Sequence, residues 1–98
     1  DIYPWDRLSR IVEMTTGLKA DKAALQKIAS EISTLTRCFN IREGLKSEDD
    51  KLPKRFYKEI LQTGHVVNEA DFAAMLKEYY TLRGWNENGI PKIKPNIL

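Results

Sequence analysis

Apolar residues recur at spacings of three and four along most of the chain, and this spacing places them on one face of an α-helix. The first such series predicts a helix with Pro4 in its first turn, where a missing N–H group does no harm. Gly17 is expected to end this helix, because glycine readily adopts the conformation that follows a last helical turn. The predicted apolar face consists of Ile2, Trp5, Leu8, Ile11 and Val12.

The second series is longer and predicts a second main helix. Asp21 offers a carboxylate that can accept hydrogen bonds from the free N–H groups at a helix start. The helix is expected to run to about Arg42 and to stop at Gly44. Its apolar stripe consists of Leu25, Ile28, Ala29, Ile32, Leu35 and Phe39.

A short helix is expected next, after a polar and charged stretch over residues 46–51. Pro53 disfavours helical backbone at the residue before it but allows a helix to start at the proline itself. The short helix is predicted to extend through Leu61. Residues 62–67 then indicate a loop or a short extended piece.

A third main helix follows the loop. Asn68, with Asp71 three residues later, resembles a capping box in which aspartate replaces glutamate. Arg83 and Gly84 favour the end of the helix. Its predicted buried stripe consists of Phe72, Met75, Leu76, Tyr79 and Tyr80. The turn-forming residues beyond Gly84 predict an irregular C-terminal tail.

Together these patterns predict a single all-α domain over residues 1–98, with three main helices plus one short helix and an irregular tail. A chain of 98 residues has the length of one domain and excludes a multidomain enzyme. The first residue is Asp1, which suggests a piece cut from a longer chain. A hydrophobic fraction of 42% and a charged fraction of 31% are typical of a soluble folded domain.

Charge and hydropathy argue against two classes of partner. The formal net charge is +2, which is too balanced to indicate a nucleic-acid-binding protein by itself. The longest apolar runs are only a few residues, so no transmembrane helix of about 20 residues is predicted. We therefore expect no nucleic-acid partner and no membrane partner. The single cysteine rules out an internal disulfide, so a reducing, cytoplasmic location is expected.

Few residues offer catalytic or metal-binding chemistry. Cys38 and His65 are the only residues of their types, and their separation matches no metal-ligand spacing. Cys38 is interpreted as a small buried hydrophobe and His65 as a surface or capping residue. The acidic run from Glu48 to Asp50 more often caps a helix than supplies general acid and base. The sequence predicts no catalytic, cofactor-binding or metal-binding residue.

A basic stripe is the remaining candidate for binding. It consists of Lys51, Lys54, Arg55 and Lys58, which fall at helical spacing on one side of the short helix. Such a stripe is commonly a solvated surface. The alternative is a docking surface for an acidic partner, carried by Lys51, Lys54 and Lys58. Nucleic acid is disfavoured, because no aromatic residues alternate with the basic ones.

Three ordered blocks resemble the C-terminal region of the tungsten-containing aldehyde:ferredoxin oxidoreductases. They are Arg37-Cys38-Phe39-Asn40-Ile41-Arg42-Glu43-Gly44, then Asp49-Asp50-Lys51-Leu52-Pro53-Lys54-Arg55, then Tyr79-Tyr80-Thr81-Leu82-Arg83-Gly84-Trp85 with Gly89 and Pro91. Thr16-Gly17 also matches a Thr-Gly pair of that family. The resemblance therefore covers nearly the whole chain.

The resemblance implies a segment of an enzyme that oxidises aldehydes to carboxylic acids. In that family the parent enzyme carries a tungstopterin and a 4Fe–4S cluster, and ferredoxin accepts the electrons. The cluster-binding cysteines lie upstream, and Cys38 stands where relatives carry an ordinary apolar residue. The expected partners of this segment are the remainder of the parent polypeptide and, for the full enzyme, ferredoxin. The segment alone is not expected to be catalytic or to hold a cofactor.

The charged residues of the three blocks are expected to form a structural network, since charges beside buried aromatic residues persist only when they are paired. We expect an arginine, Arg42 or Arg55, to pair with a carboxylate of the loop before the short helix. That carboxylate is Asp49 or Asp50. The whole predicted network is Arg42, Glu43, Asp49, Asp50, Arg55 and Arg83.

An alternative function is a free-standing helical module that binds an acidic protein through the basic stripe. A segment cut from its neighbours should leave their contact surface in water as an exposed apolar patch. The absence of such a patch would favour the module. Family members often have a further short helix after the last block, but Pro95 would interrupt it here, so the tail is expected to differ.

Overall fold

The computed structural model describes residues 4–60 and 64–94. Within these ranges the chain forms four α-helices and one 3₁₀ turn, and no β-strand. The helices are α1 (Trp5–Thr16), α2 (Lys22–Arg42), α3 (Arg55–Lys58) and α4 (Glu69–Arg83), and the 3₁₀ turn at Ser47–Asp49 lies between α2 and α3. The predicted all-α architecture of three main helices and one short helix is confirmed.

The ends of the long helices follow the predicted capping residues. The side chain of Asp21 accepts a hydrogen bond from the Ala24 N–H at 2.9 Å. The side chain of Asn68 accepts from the N–H groups of Ala70 and Asp71 at 2.8 and 3.1 Å. Each oxygen satisfies donors that have no partner within the first helical turn. Local sequence is therefore sufficient to place these two helix starts.

The short helix is shorter than predicted. It spans Arg55–Lys58 rather than Pro53 through Leu61, and the backbone is extended at Glu59, with ψ of 135°. A helix of four residues has few internal hydrogen bonds, and it is held by its neighbours rather than by its own propensity. Tyr57 supplies part of that support by meeting the Phe72 ring edge-on at 6.3 Å. Leu61 lies outside the described residues, as do Ile2, residues 62–63 and Pro95.

The first two helices form a helical hairpin. Ala20, in the connection between them, is buried, with 7% of its surface exposed. The Ser9 hydroxyl of α1 donates to the Ala20 carbonyl. This contact ties the connection to the preceding helix.

The predicted apolar stripes are only partly covered. On α2, Ile32 and Phe39 are 58% and 50% exposed, and on α4, Met75 and Tyr79 are 68% and 42% exposed. Among the residues predicted to form the buried stripe of α4, Tyr80 alone is buried. The prediction of a buried stripe on α4 was therefore wrong for Met75 and Tyr79. These side chains stay largely exposed, although Tyr79 meets the Trp85 ring edge-on at 5.6 Å.

The dimensions of the chain also indicate that much of its surface is uncovered. Its radius of gyration is 17.5 Å, whereas a compact domain of this length has about 13 Å. Its accessible surface is 8353 Å², against roughly 5,700 Å² for a folded monomer of this mass. The excess of roughly 2,600 Å² is comparable to one side of a large obligate interface. Large apolar side chains such as Met75, Leu82 and Ile93 contribute to the exposed surface.

Among the described helices, even the 21-residue α2 lacks the apolar stretch that a membrane-spanning helix needs.

Candidate functional site

A partly buried ion pair joins α2 to the loop before α3. The guanidinium of Arg37 donates hydrogen bonds from both terminal nitrogens to the carboxylate of Asp50, and the Nη1–Oδ1 distance is 2.8 Å. The side chains are only 10% and 20% exposed. A two-bond fork between guanidinium and carboxylate is geometrically selective as well as strong. It holds the loop in one position against α2.

Tyr80 of α4 completes this group. Its hydroxyl donates to Oδ2 of Asp50, and the residue is 5% exposed. The Asp50 carboxylate therefore accepts from both Arg37 and Tyr80, so three segments far apart in sequence meet at one carboxylate. We refer to Arg37, Asp50 and Tyr80 as the ionic cluster.

Aromatic rings cover the guanidinium. The Cζ atom of Arg37 lies 5.1 Å from the centre of the Trp85 ring and 5.7 Å from that of Tyr80. Trp85 is itself buried at 6% exposure, and its indole N–H donates to the Thr34 hydroxyl at 3.2 Å. Buried indole N–H groups usually need such a partner. Thr34 and Arg37 lie one turn apart, so one side of α2 binds both the rings and the carboxylate.

The turn that follows α4 supplies the last contact. The side-chain oxygen of Asn86 accepts from the N–H groups of Asn88 and Ile90 at 2.8 and 3.0 Å. This closes a loop whose ends meet as an isolated β-bridge between Trp85 and Pro91. The closed loop presents the Gly89 carbonyl to Nε of Arg37 at 2.9 Å.

Gly89 is required by the close approach of this loop. Its φ is +70°, a left-handed conformation that side chains disfavour. A Cβ atom added there would come within 2.7 and 2.9 Å of Cζ and Cε1 of Tyr80 and would also clash with Nη2 of Arg37. A glycine at this position allows the turn to pack directly on the ionic cluster.

The pairing shifts the acidity of all three cluster members. Hydrogen bonds from Arg37 lower the pKa of Asp50 against the opposing effect of burial, and the Tyr80 hydroxyl lowers it further. Burial raises the pKa of Tyr80, and the neighbouring Asp50 carboxylate raises it further. The pKa of Arg37 is raised mainly by its hydrogen bonds to Asp50. The cluster is most stable with Asp50 ionised and Tyr80 protonated.

These shifts predict how stability depends on pH. Asp50 has a lower pKa folded than unfolded, so its contribution is present above about pH 4 and is lost as pH falls through the folded pKa. Tyr80 has a higher pKa folded than unfolded, so its contribution is present below about pH 10 and is lost as pH rises. We expect urea midpoints to decline at both extremes. Tyr80→Phe should flatten the alkaline decline, and an unchanged alkaline decline in that variant would contradict the assignment.

The predicted charged network is only partly brought together. Asp50 lies in the ionic cluster, but its partner is Arg37 and not Arg42 or Arg55. Arg42 lies 3.9 Å from Glu43, and both side chains are more than 60% exposed. Asp49 accepts a hydrogen bond from the Lys46 N–H at 2.8 Å and thereby caps the 3₁₀ turn.

The remaining network residues lie apart from the cluster. Arg55 lies 3.8 Å from Glu59 on an exposed surface, with side chains 70% and 68% exposed. Arg83 places its Cζ 5.2 Å from the centre of the Tyr79 ring. Arg55 therefore does not pair with the carboxylates of the loop before α3, as expected, but lies near Glu59, four residues later in the chain.

The basic stripe lies in water. Lys51, Lys54 and Lys58 are all exposed, like Arg55. The prediction that they share one side of the short helix was wrong, because α3 begins at Arg55 and Lys51 and Lys54 precede it. The contact of Arg55 with Glu59 is a surface ion pair, and such pairs contribute little free energy. It would therefore compete only weakly with a partner that binds the stripe. The stripe remains a predicted docking surface.

Sequence reasoning missed Arg37 as the centre of the site. It also treated Tyr80 only as an apolar stripe residue and assigned no role to Gly89. One signal could have found them, because each belongs to one of the three motif blocks. A tyrosine and a tryptophan predicted to be buried each need a hydrogen-bond partner, and Arg37 is the one motif arginine within the apolar part of α2.

The described residues bring together no cluster of metal-binding side chains. No group of three or more His, Cys, Asp or Glu side chains converges among the described residues. A 4Fe–4S cluster takes four cysteine thiolates, and the sequence has one cysteine, Cys38. The ionic cluster has its polar atoms bonded to one another, and among described residues no buried side-chain polar atom lacks a partner. Such an arrangement stabilises the position of the three segments that it joins.

The chain is similar to proteins of one family. A family model described as "Aldehyde ferredoxin oxidoreductase, domains 2 & 3" matches residues 1–95. The chain is 45% identical to the tungsten-containing aldehyde ferredoxin oxidoreductase of Pyrococcus furiosus, over 69% of its length. It is 43% identical to the protein of the same name from Thermococcus kodakarensis, over 74% of its length. In each case the match spans 12% of the relative. No solved structure matches the chain significantly.

Proposed function

Because the chain belongs to the aldehyde ferredoxin oxidoreductase family, we propose that it is a structural helical segment of a tungsten-containing enzyme of that family. Its role is to pack against the remainder of the parent polypeptide and to close over the part that bears the cofactors. The observation that carries this proposal is the uncovered surface, roughly 2,600 Å² more than a folded monomer of this mass exposes. Such an area is suited to a permanent interface.

The activity belongs to the parent polypeptide in this proposal. The parent oxidises aldehydes to carboxylic acids and passes the electrons to ferredoxin. Tungstopterin and a 4Fe–4S cluster would be held by residues outside this chain, as the family resemblance implies, and the single cysteine of the chain cannot supply the four thiolates of the cluster. A cytoplasmic location is part of the same proposal.

The ionic cluster gives the segment a defined shape. It connects α2, the loop at Asp50 and the turn after α4 through side chains that are largely shielded from water. Joining these parts limits their independent motion before the parent polypeptide covers them. A pre-organised surface loses less conformational entropy on docking than a flexible one.

The basic stripe has a subsidiary role in the proposal. Lys51, Lys54 and Lys58 are exposed and could dock ferredoxin or another acidic carrier by charge complementarity. The alternative function, a free-standing module that uses this stripe, is disfavoured by the exposed apolar side chains of α2 and α4. A module that works alone would be expected to bury them.

A split-protein experiment tests the proposed function. The parent polypeptide is produced without residues 1–98, and the missing chain is supplied separately in the same cells. We expect the truncated parent alone to be insoluble or inactive, because its side of the interface is exposed, and we expect the supplied chain to co-purify with it and restore aldehyde oxidation. Full activity and full tungsten and iron content in the truncated parent would contradict the proposal. So would stoichiometric tungsten or iron in the purified 98 residues.

A further inference from the structure

An open groove lies between α2 and the residues that follow α4. Its volume is about 830 Å³. Its apolar lining includes Ile28, Ile32 and Leu35 of α2 and Ile93 beyond the turn. We refer to it as the α2 groove. Ile28 and Ile32 are four residues apart, and Leu35 follows three residues later, so they form one continuous stripe along the helix.

The floor of the α2 groove is too open to enclose a small molecule. Ile28, Ile32 and Ile93 are 38%, 58% and 84% exposed. Small-molecule sites generally bury most of their ligand in a concave cavity. Isoleucines exposed to this degree along a helix are instead typical of a surface that a second helix or chain segment covers.

The rim of the α2 groove is positively charged. Lys27 lies on the α2 side, and Arg83, Lys92 and Lys94 lie on the opposite side. Glu31 is the single acidic residue among the described residues that line it. Four cations and one carboxylate leave a local excess of three positive charges. An acidic partner segment is attracted to such a rim, and a basic one is repelled.

We propose that the α2 groove receives an apolar segment of the parent polypeptide that carries Asp or Glu residues at its edges. This inference rests on the proposed function, since it needs a parent polypeptide outside residues 1–98. The match spans 12% of each curated relative, so a parent of similar length has ample chain to supply the segment. Apolar side chains of the segment cover the isoleucines, and its carboxylates pair with the rim lysines.

Zero-length cross-linking of the intact parent enzyme tests the occupant directly. A carbodiimide joins a lysine amine to a carboxylate only when the two are in contact, and mass spectrometry then identifies both residues. We expect Lys27, Lys92 or Lys94 to be joined to Asp or Glu residues outside residues 1–98, within the same polypeptide and next to apolar residues. Links from these lysines only to acids within residues 1–98, or no links from them, would overturn the proposal. Links to a second copy or to a separate protein would also overturn it.

Two pairs of variants provide matched controls in the parent enzyme. Lys92→Arg keeps the charge but removes the reactive amine, so its links should disappear while the thermal midpoint stays unchanged. Lys92→Glu should lose the links and lower the midpoint. Ile32→Asp should lower the midpoint more than Met14→Asp, because Met14 is on α1, outside the groove, and is 86% exposed. Equal effects of the two aspartates would count against the apolar contact.

The outcomes separate this inference from the proposed function. If the split-protein experiment succeeds but the rim lysines give no links to the rest of the parent, the α2 groove proposal fails and the proposed function stands. If the truncated parent is fully active without the segment, the proposed function fails, and the inference that rests on it fails too.

Discussion

Asp50→Asn is expected to lower the free energy of unfolding of the chain by about 2 kcal/mol, because it removes the charged partner from a largely shielded ion pair. Arg37 keeps its charge at any accessible pH, and its side chain is only 10% exposed. The asparagine amide cannot replace both carboxylate oxygens as acceptors, so Arg37 and Tyr80 each lose a charged partner. The lost free energy is the cost of leaving the positive charge of Arg37, which two aromatic rings cover, without a negatively charged partner.

Urea unfolding followed by far-UV circular dichroism measures this change. The Asp50→Asn midpoint should fall with little change in the slope of the transition, since the same surface is exposed on unfolding. Glu43→Gln is the matched control, because it neutralises the exposed pair of Arg42 and Glu43. A pair of that kind contributes about 0 to 1 kcal/mol. Equal losses in the two variants would show that the cluster is no more important than a surface contact.

Gly89→Ala is expected to destabilise the chain by about 3 kcal/mol through two additive effects. The left-handed backbone at φ of +70° costs a residue with a Cβ roughly 1 to 2 kcal/mol. The added methyl group also overlaps the ring of Tyr80 and the guanidinium of Arg37, and overpacking of this kind costs about 1 to 3 kcal/mol. The turn must move away, and Arg37 then loses its bond to the Gly89 carbonyl.

Gly17→Ala separates the two effects. Gly17 has a similar φ of +77°, but an added Cβ there meets nothing within 4 Å. Its substitution should therefore cost only the conformational part, about 1 kcal/mol. The comparison is made with the same urea titrations. A loss for Gly89→Ala no larger than that for Gly17→Ala would mean that the turn does not pack tightly on the cluster.

Helix positions in this protein follow from short-range rules, and the sequence predicts them well. Asp21, Asn68 and Gly84 mark helix ends because each acts on backbone groups within a few residues. The same local rules fail for the short helix, where Pro53 permits a start but does not specify a length. Its extent of four residues depends on contacts such as that of Tyr57 with Phe72.

The pairing of charges could not be predicted from local spacing. Asp50 lies between two arginines of the motif blocks, Arg42 and Arg55, and both are nearer in sequence than Arg37. Arg42 and Arg55 stay in water because a charge is costly to bury without several partners. Arg37 obtains those partners from Asp50 and, 52 residues away, from Gly89.

By itself the sequence determined the helical class, the starts of the long helices and the family, because each depends on residue order or on interactions within a helical turn. Only the tertiary structure decided that Arg37 is the partner of Asp50, that Gly89 lies against Tyr80, and which apolar stripes remain in water. The physical reason is that periodicity shows which face of a helix is apolar but not what covers it. Burial and ion pairing depend on contacts between segments that are distant in sequence. For this chain, we propose that some of those contacts are made with the rest of a parent enzyme.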